Sequence, residues 1–66
     1  MNLTLNGEAR TVSEGSTLAD LVTELGLDAR KVAVELNLEI VPRSAYRVTV
    51  VNDGDRIEIV HFIGGG

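Results

Sequence analysis

The chain has 66 residues, room for a single domain, and is 44% hydrophobic with one Phe, one Tyr and no Trp, so its core has to come from Val, Leu and Ile. Cysteine is absent, which removes disulfides, thiolate metal sites and cysteine nucleophiles, and leans the compartment towards the cytosol. Ten acidic residues against six basic ones give a formal charge of -4; with no basic cluster and almost no aromatic rings, nucleic-acid binding is not expected, whereas a partner with a basic docking surface suits the charge.

In "NLTLN" Leu3 and Leu5 alternate with Asn2 and Thr4, the period of a strand with one buried face. Asn6-Gly7 follows, a dipeptide that takes the positive φ angles of a tight hairpin, and "EARTV" reads as the returning strand. The period then changes. Leu18, Leu21, Val22 and Leu25 recur at helical spacing while Asp20, Thr23 and Glu24 fall on the other side. Thr17 with Asp20 forms a capping-box pattern, and Gly26 supplies a left-handed residue to end the helix.

"KVAVEL" predicts a strand, with Val32 and Val34 on one face or the whole run buried on both; its apolar content favours a central position. A turn near Asn37 leads into a short extended piece stopped by Pro42, which donates no ladder hydrogen bond. "RSAYRVTV" predicts one helical or 3₁₀ turn around Ser44 to Tyr46, then an extended "VTV". The "NDGD" turn at Asn52 to Asp55 introduces the last strand, "RIEIVHF". Together these elements make a small α+β layer, with one main helix packed across one face of a mixed sheet. Parallel pairing of the first and last strands at the sheet centre would make it a β-grasp (ubiquitin-like) domain over residues 1–63, with residues 64–66 a flexible glycine tail.

Side-chain chemistry is sparse. His61 is the one histidine, so any catalytic triad would need it, and a strand histidine facing solvent or a partner is the simpler reading. One histidine and no cysteine make a structural zinc site improbable. Asp53 and Asp55 lack the further ligands of a calcium loop and read as turn residues. The single glycines at turns do not make a phosphate-cradling loop. No basic, apolar leader opens the chain and no stretch approaches membrane-spanning length, so a soluble, cytoplasmic protein is expected, monomeric when free and without a bound metal or cofactor.

The ending "HFIGGG" is different. Three glycines bury no side chain and lose much entropy when ordered, so they add essentially nothing to the fold. They can, however, thread a channel too narrow for a side chain and leave an α-carboxyl sterically open. An ionised carboxylate is a poor electrophile; a partner would have to activate it with ATP. A frayed end or an artificial linker is the bland alternative.

"LNGE", "VAVELNLEIVPR", "NDGDRIEIV" and "HFIGGG", in this order across the whole chain, resemble the ThiS/MoaD family of ubiquitin-like sulfur carriers, most closely its thiamine (thiazole) branch. The resemblance implies that the Gly66 carboxylate is adenylated by a ThiF-like enzyme, which supplies the ATP chemistry. Sulfur drawn from cysteine through a desulfurase would then make a thiocarboxylate, the donor to a ThiG-like thiazole synthase. On this view the protein is a cosubstrate, not an enzyme. The family's minimal signature is Gly-Gly, and this chain has a third glycine; the acyl-bearing residue is expected to be the last, Gly66, with Gly64 and Gly65 as its lead. With nothing after the glycines, no processing protease is expected.

If Ile57 and Ile59 point beneath the helix, Glu58, Val60 and Phe62 project from the opposite face. Val60 and Phe62 would form an apolar docking patch beside the tail, unless Phe62 folds back as edge packing. Arg43 and Arg56 are candidates to assist docking without an assigned contact. Competing readings are a carrier of another pathway (a molybdopterin synthase small subunit, or cysteine or siderophore synthesis), a protein modifier joined through Gly66 to lysine, and a plain interaction domain with an inert tail.

Overall fold

A computed structural model describes residues 1–62. Residues 63–66, which include the glycines of the predicted tail, lie outside the described residues. Five strands and one helix follow in the order β1 (Asn2–Leu5), β2 (Glu8–Thr11), α1 (Leu18–Glu24), β3 (Val32–Leu36), β4 (Glu39–Val41) and β5 (Arg56–His61), with 3₁₀ turns at Ala29–Lys31 and Arg43–Ala45. The strands form one mixed sheet ordered β2-β1-β5-β3-β4. β5 lies at its centre, parallel to β1 through Thr4↔Arg56 and Leu5↔Ile57, and antiparallel to β3 from Val32↔His61 to Leu36↔Ile57. This is the β-grasp arrangement expected from the order of the elements.

Local chemistry explains each boundary. Asn6 and Gly7 have φ of 51° and 82°, the two positive values a type I′ hairpin needs. In α1, Thr17 and Asp20 form the reciprocal capping box expected from their spacing. The remaining N-terminal amides are satisfied from a distant loop: Leu18 N–H donates to Thr49 C=O at 2.9 Å and Ala19 N–H to Tyr46 C=O at 3.0 Å. At the other end Gly26 has φ 75°; its N–H donates to Thr23 C=O at 2.9 Å and Leu27 N–H to Val22 C=O at 3.1 Å, a complete Schellman motif.

The core lies between α1 and one face of the sheet. Leu18, Leu21 and Val22 from the helix meet Leu3, Val32, Val34, Ile57 and Ile59 from the strands, with Val12, Tyr46 and Val51 closing the ends. Leu25, the fourth residue of the helical stripe, is half-buried at the C-cap. No helix among the described residues is long and apolar enough to cross a membrane.

β3 takes the interior position that its apolar content favours, and of its two readings the one-faced one holds: Val32 and Val34 are enclosed, whereas Ala33 and Glu35 are half-exposed. Two other expectations change. "VTV" is extended only in part, since Val48 belongs to the turn that follows the 3₁₀ element. Its one piece of ladder is an isolated bridge between Val50 and Thr17, because this segment curls under the helix N-terminus, where the Thr49 carbonyl is taken by Leu18 N–H. Val48 and Val50 are consequently exposed. The 3₁₀ turn falls at Arg43–Ala45, one residue earlier than predicted.

Candidate functional site

β5 sorts its side chains by parity. Ile57 is fully enclosed and Ile59 nearly so, at 0% and 8% exposure, while Val60 and Phe62 are 60% and 51% exposed. Glu58 is half-exposed on the same outward side. Period-2 geometry turns 57 and 59 to the helix and 58, 60 and 62 to the open face. Phe62 itself lies one residue past the strand, but its N–H still donates to Lys31 C=O at 2.7 Å, extending the β3 pairing.

The register fixes the neighbours on this open face. Val60 sits opposite Ala33, Glu58 opposite Glu35, and Glu35 opposite Ile40 at the edge of the sheet. Ile40 is 77% exposed. The surface therefore carries Ile40, Glu35 and Glu58 in one row across the strands, with Val60 and Phe62 further along β5. Like charges directly opposite oppose pairing; Arg56 offsets this from the same strand, its guanidinium 3.7 Å from Glu58 Oε1. Arg56 thus has a contact within the chain that the sequence did not assign. Ile40 was missed as a member of this face because its position depends on the β3–β4 register, which no local pattern specifies.

His61 is exposed at the end of β5, opposite Val32. Among the described residues no group of three or more His, Asp or Glu side chains is placed to hold a metal ion. Asp53 and Asp55 perform turn chemistry: Asp53 Oδ1 accepts Asn2 N–H at 2.7 Å, and Asp55 Oδ2 accepts Asn52 N–H at 2.7 Å. Asp55 Oδ1 also accepts Asn37 Nδ2–H at 3.1 Å, and Asn37 Oδ1 accepts Arg56 N–H at 2.9 Å. These bonds anchor the start of β5 to the β3–β4 hairpin.

In the sequence Asn6 signals only a turn, yet its side chain reaches β5. Its Oδ1 accepts Ile59 N–H at 2.8 Å and its Nδ2 donates to Ile59 C=O at 3.3 Å. An Asn-Gly pair in sequence signals the turn and carries no sign of this long-range bond.

A model of the ThiS family matches residues 3–66. Over all 66 residues the chain is 61% identical to part of a thiazole synthase of Paramagnetospirillum magneticum, of which it spans 20% of the length. It is 40% identical to the sulfur carrier protein ThiS of Bacillus subtilis, covering 97% of this chain and 98% of that protein. The crystal structure of the thiamine biosynthesis protein ThiS from Geobacter metallireducens superposes with a TM-score of 0.85 at 43% identity, covering 100% of both chains. A match along nearly the whole length in both sequence and fold is decisive: the chain belongs to the ThiS family.

Proposed function

We propose that this protein is the sulfur carrier of thiazole formation in thiamine biosynthesis, and that the α-carboxyl of Gly66 is its reactive group. A ThiF-like enzyme activates it: a carboxylate oxygen attacks the α-phosphorus of ATP, the bond to pyrophosphate breaks, and an acyl-adenylate forms. The terminal sulfur of a persulfide formed from cysteine by a desulfurase then attacks the acyl carbon and displaces AMP, and a thiol reduces the resulting acyl disulfide, forming a new disulfide and leaving a thiocarboxylate. A ThiG-like thiazole synthase takes that sulfur. Gly64 and Gly65 lead the carboxyl into each partner, since residues without Cβ pass where others are excluded.

The single observation that carries the reading is the parity of β5, with Ile57 and Ile59 enclosed while Val60 and Phe62 stand exposed six and four residues before Gly66. The strand anchors itself by one face and offers the other as a docking surface, with Glu58 at its side. Exposed apolar groups rimmed by charge suit protein contact. The relationship to sulfur carrier proteins supports the chemistry. Two thiazole synthases each contain a stretch similar to this entire chain, 61% and 47% identical, which supports a thiazole synthase as the acceptor.

The test is intact mass spectrometry after incubation with ATP, the cognate adenylating enzyme and a sulfide source. The expected product has gained the mass of one oxygen exchanged for sulfur, and loses the gain when Gly66 is deleted. A chain of unchanged mass in the presence of active enzyme would sink the carrier reading.

A further inference from the structure

Asn6 does more than its turn requires. With φ 51° it sits where glycine would serve the hairpin at least as well, yet its carboxamide makes two bonds to one residue of β5, accepting from its N–H and donating to its C=O, 53 positions away in sequence. β1 pairs with β5 only at Thr4↔Arg56 and Leu5↔Ile57, followed by Asn6 N–H donating to Ile57 C=O at 2.9 Å. The next backbone groups of β5 on that side belong to Ile59. The main chain has already turned away into β2, and the side chain of Asn6, which carries the same N–H and C=O as a peptide, stands in for the missing strand residue.

We infer that Asn6 is a positioning residue for the carrier reaction: it clamps β5 at Ile59 and so fixes the strand end from which the chain runs on to the Gly66 carboxyl. The inference rests on the sulfur-carrier reading. From the β3 side, β5 is held through Val60↔Ala33, Val32↔His61 and the bond from Phe62 N–H to Lys31 C=O. A strand end held on one side alone has freedom to twist about that ladder; held from both sides at Ile59, it does not. The docking groups Val60 and Phe62 keep their β3 pairing whether or not Asn6 is present. Loss of the clamp therefore leaves docking in place and loosens the strand end that precedes the reacting carboxyl. Asn6 touches none of the reacting atoms.

Two variants separate this role from stability. Asn6→Gly keeps the turn and removes the carboxamide; Asn6→Asp keeps the acceptor for Ile59 N–H but sets a carboxylate against Ile59 C=O. Pyrophosphate release by the cognate adenylating enzyme is measured at saturating ATP against carrier concentration, and amide exchange of Ile59 is followed by NMR. The expected result is a fall in kcat of about 5- to 50-fold with KM within about twofold of wild type, since misplacing a reacting group costs rate rather than binding. Ile59 should lose amide protection in Asn6→Gly while Val34 and Ile57 keep theirs. If Asn6→Gly does not fold, the Asn6→Asp kcat decides alone. A kcat within twofold of wild type, or a loss confined to KM, overturns the positioning role. A wild-type chain that releases no pyrophosphate overturns the carrier reading itself, and this inference with it.

Discussion

Phe62→Ala tests the open face most sharply, because the structure sets its size. A phenylalanine side chain buries roughly 150–250 Å² when enclosed. With Phe62 at 51% exposure, on the order of 100 Å² is left for a partner to cover, worth about 2.5 kcal/mol at about 25 cal/mol per Å². Ordering costs at an interface reduce that figure, so truncation should weaken docking by about 1.5–2.5 kcal/mol, a Kd about 10- to 60-fold higher. The part already covered packs within the chain and contributes up to about 2 kcal/mol to folding, as an upper bound. Titration calorimetry against the adenylating enzyme and against thiazole synthase, at a temperature where circular dichroism shows the variant folded, separates the two. A Tm lowered with both Kd values unchanged would refute the docking role and make Phe62 an edge-packing residue.

Ile57→Ala, on the same strand but facing the helix at 0% exposure, should cost about 2–5 kcal/mol in urea denaturation and leave the affinity of the folded fraction unchanged; a loss below about 1 kcal/mol would contradict its place in the core. Leu38 holds φ 72° in the β3–β4 turn while 69% exposed, a left-handed conformation that costs a side-chain-bearing residue about 1–2 kcal/mol. Leu38→Gly should therefore raise stability by up to about 1 kcal/mol after the entropy lost by glycine is deducted, and a clear drop would show that Leu38 makes contacts worth more than its strain. At the surface, Asp28 accepts Arg30 Nε–H and Nη2–H at 3.1 and 2.8 Å and caps the following turn by accepting Arg30 N–H at 2.9 Å, and the Arg30 side-chain bonds, first, then its backbone bond hold the carboxyl well below the usual range. A depressed folded-state pKa stabilises above the unfolded value and is lost as pH falls through the folded one. Thermal melts of Asp28→Asn and wild type should differ slightly at neutral pH and converge below the ordinary carboxylate range, with salt shrinking the gap; a gap that widens on acidification would contradict the assignment.

Where several local signals agreed, the fold was readable from the sequence. For α1 the aliphatic stripe, the Thr17–Asp20 box and Gly26 all point to one helix, and each is found in its expected role. β5 was readable because its alternation is regular and each of its faces has a distinct environment. "VTV" departs from its expected extended form for a physical reason: Val48 is drawn into the preceding turn and the carbonyl of Thr49 is needed by an amide of α1, a tertiary demand invisible within an eight-residue window. The Asp28 cap and its 3₁₀ turn at Ala29–Lys31 were passed over because a single turn has too few residues to show a period. Asn6 and Ile40 belong to the candidate site through pairing partners far along the chain, and only the sheet register reveals them.

That same register makes stability and recognition separable in this small domain. Ile57 and Ile59 of β5 send side chains to the core and backbone groups towards β1 and Asn6; Glu58, Val60 and, just past the strand, Phe62 send side chains to the open face and backbone groups towards β3. A change at Glu58, Val60 or Phe62 therefore alters what a partner meets without opening a cavity under the helix. A change at Ile57 or Ile59 does the reverse. Ile57 and Phe62 share no face and no hydrogen-bond partner, so their effects on folding should add. A single strand thus anchors the domain by one face, leaves Val60 and Phe62 exposed on the other and leads to the glycines, the arrangement that the proposed docking role requires.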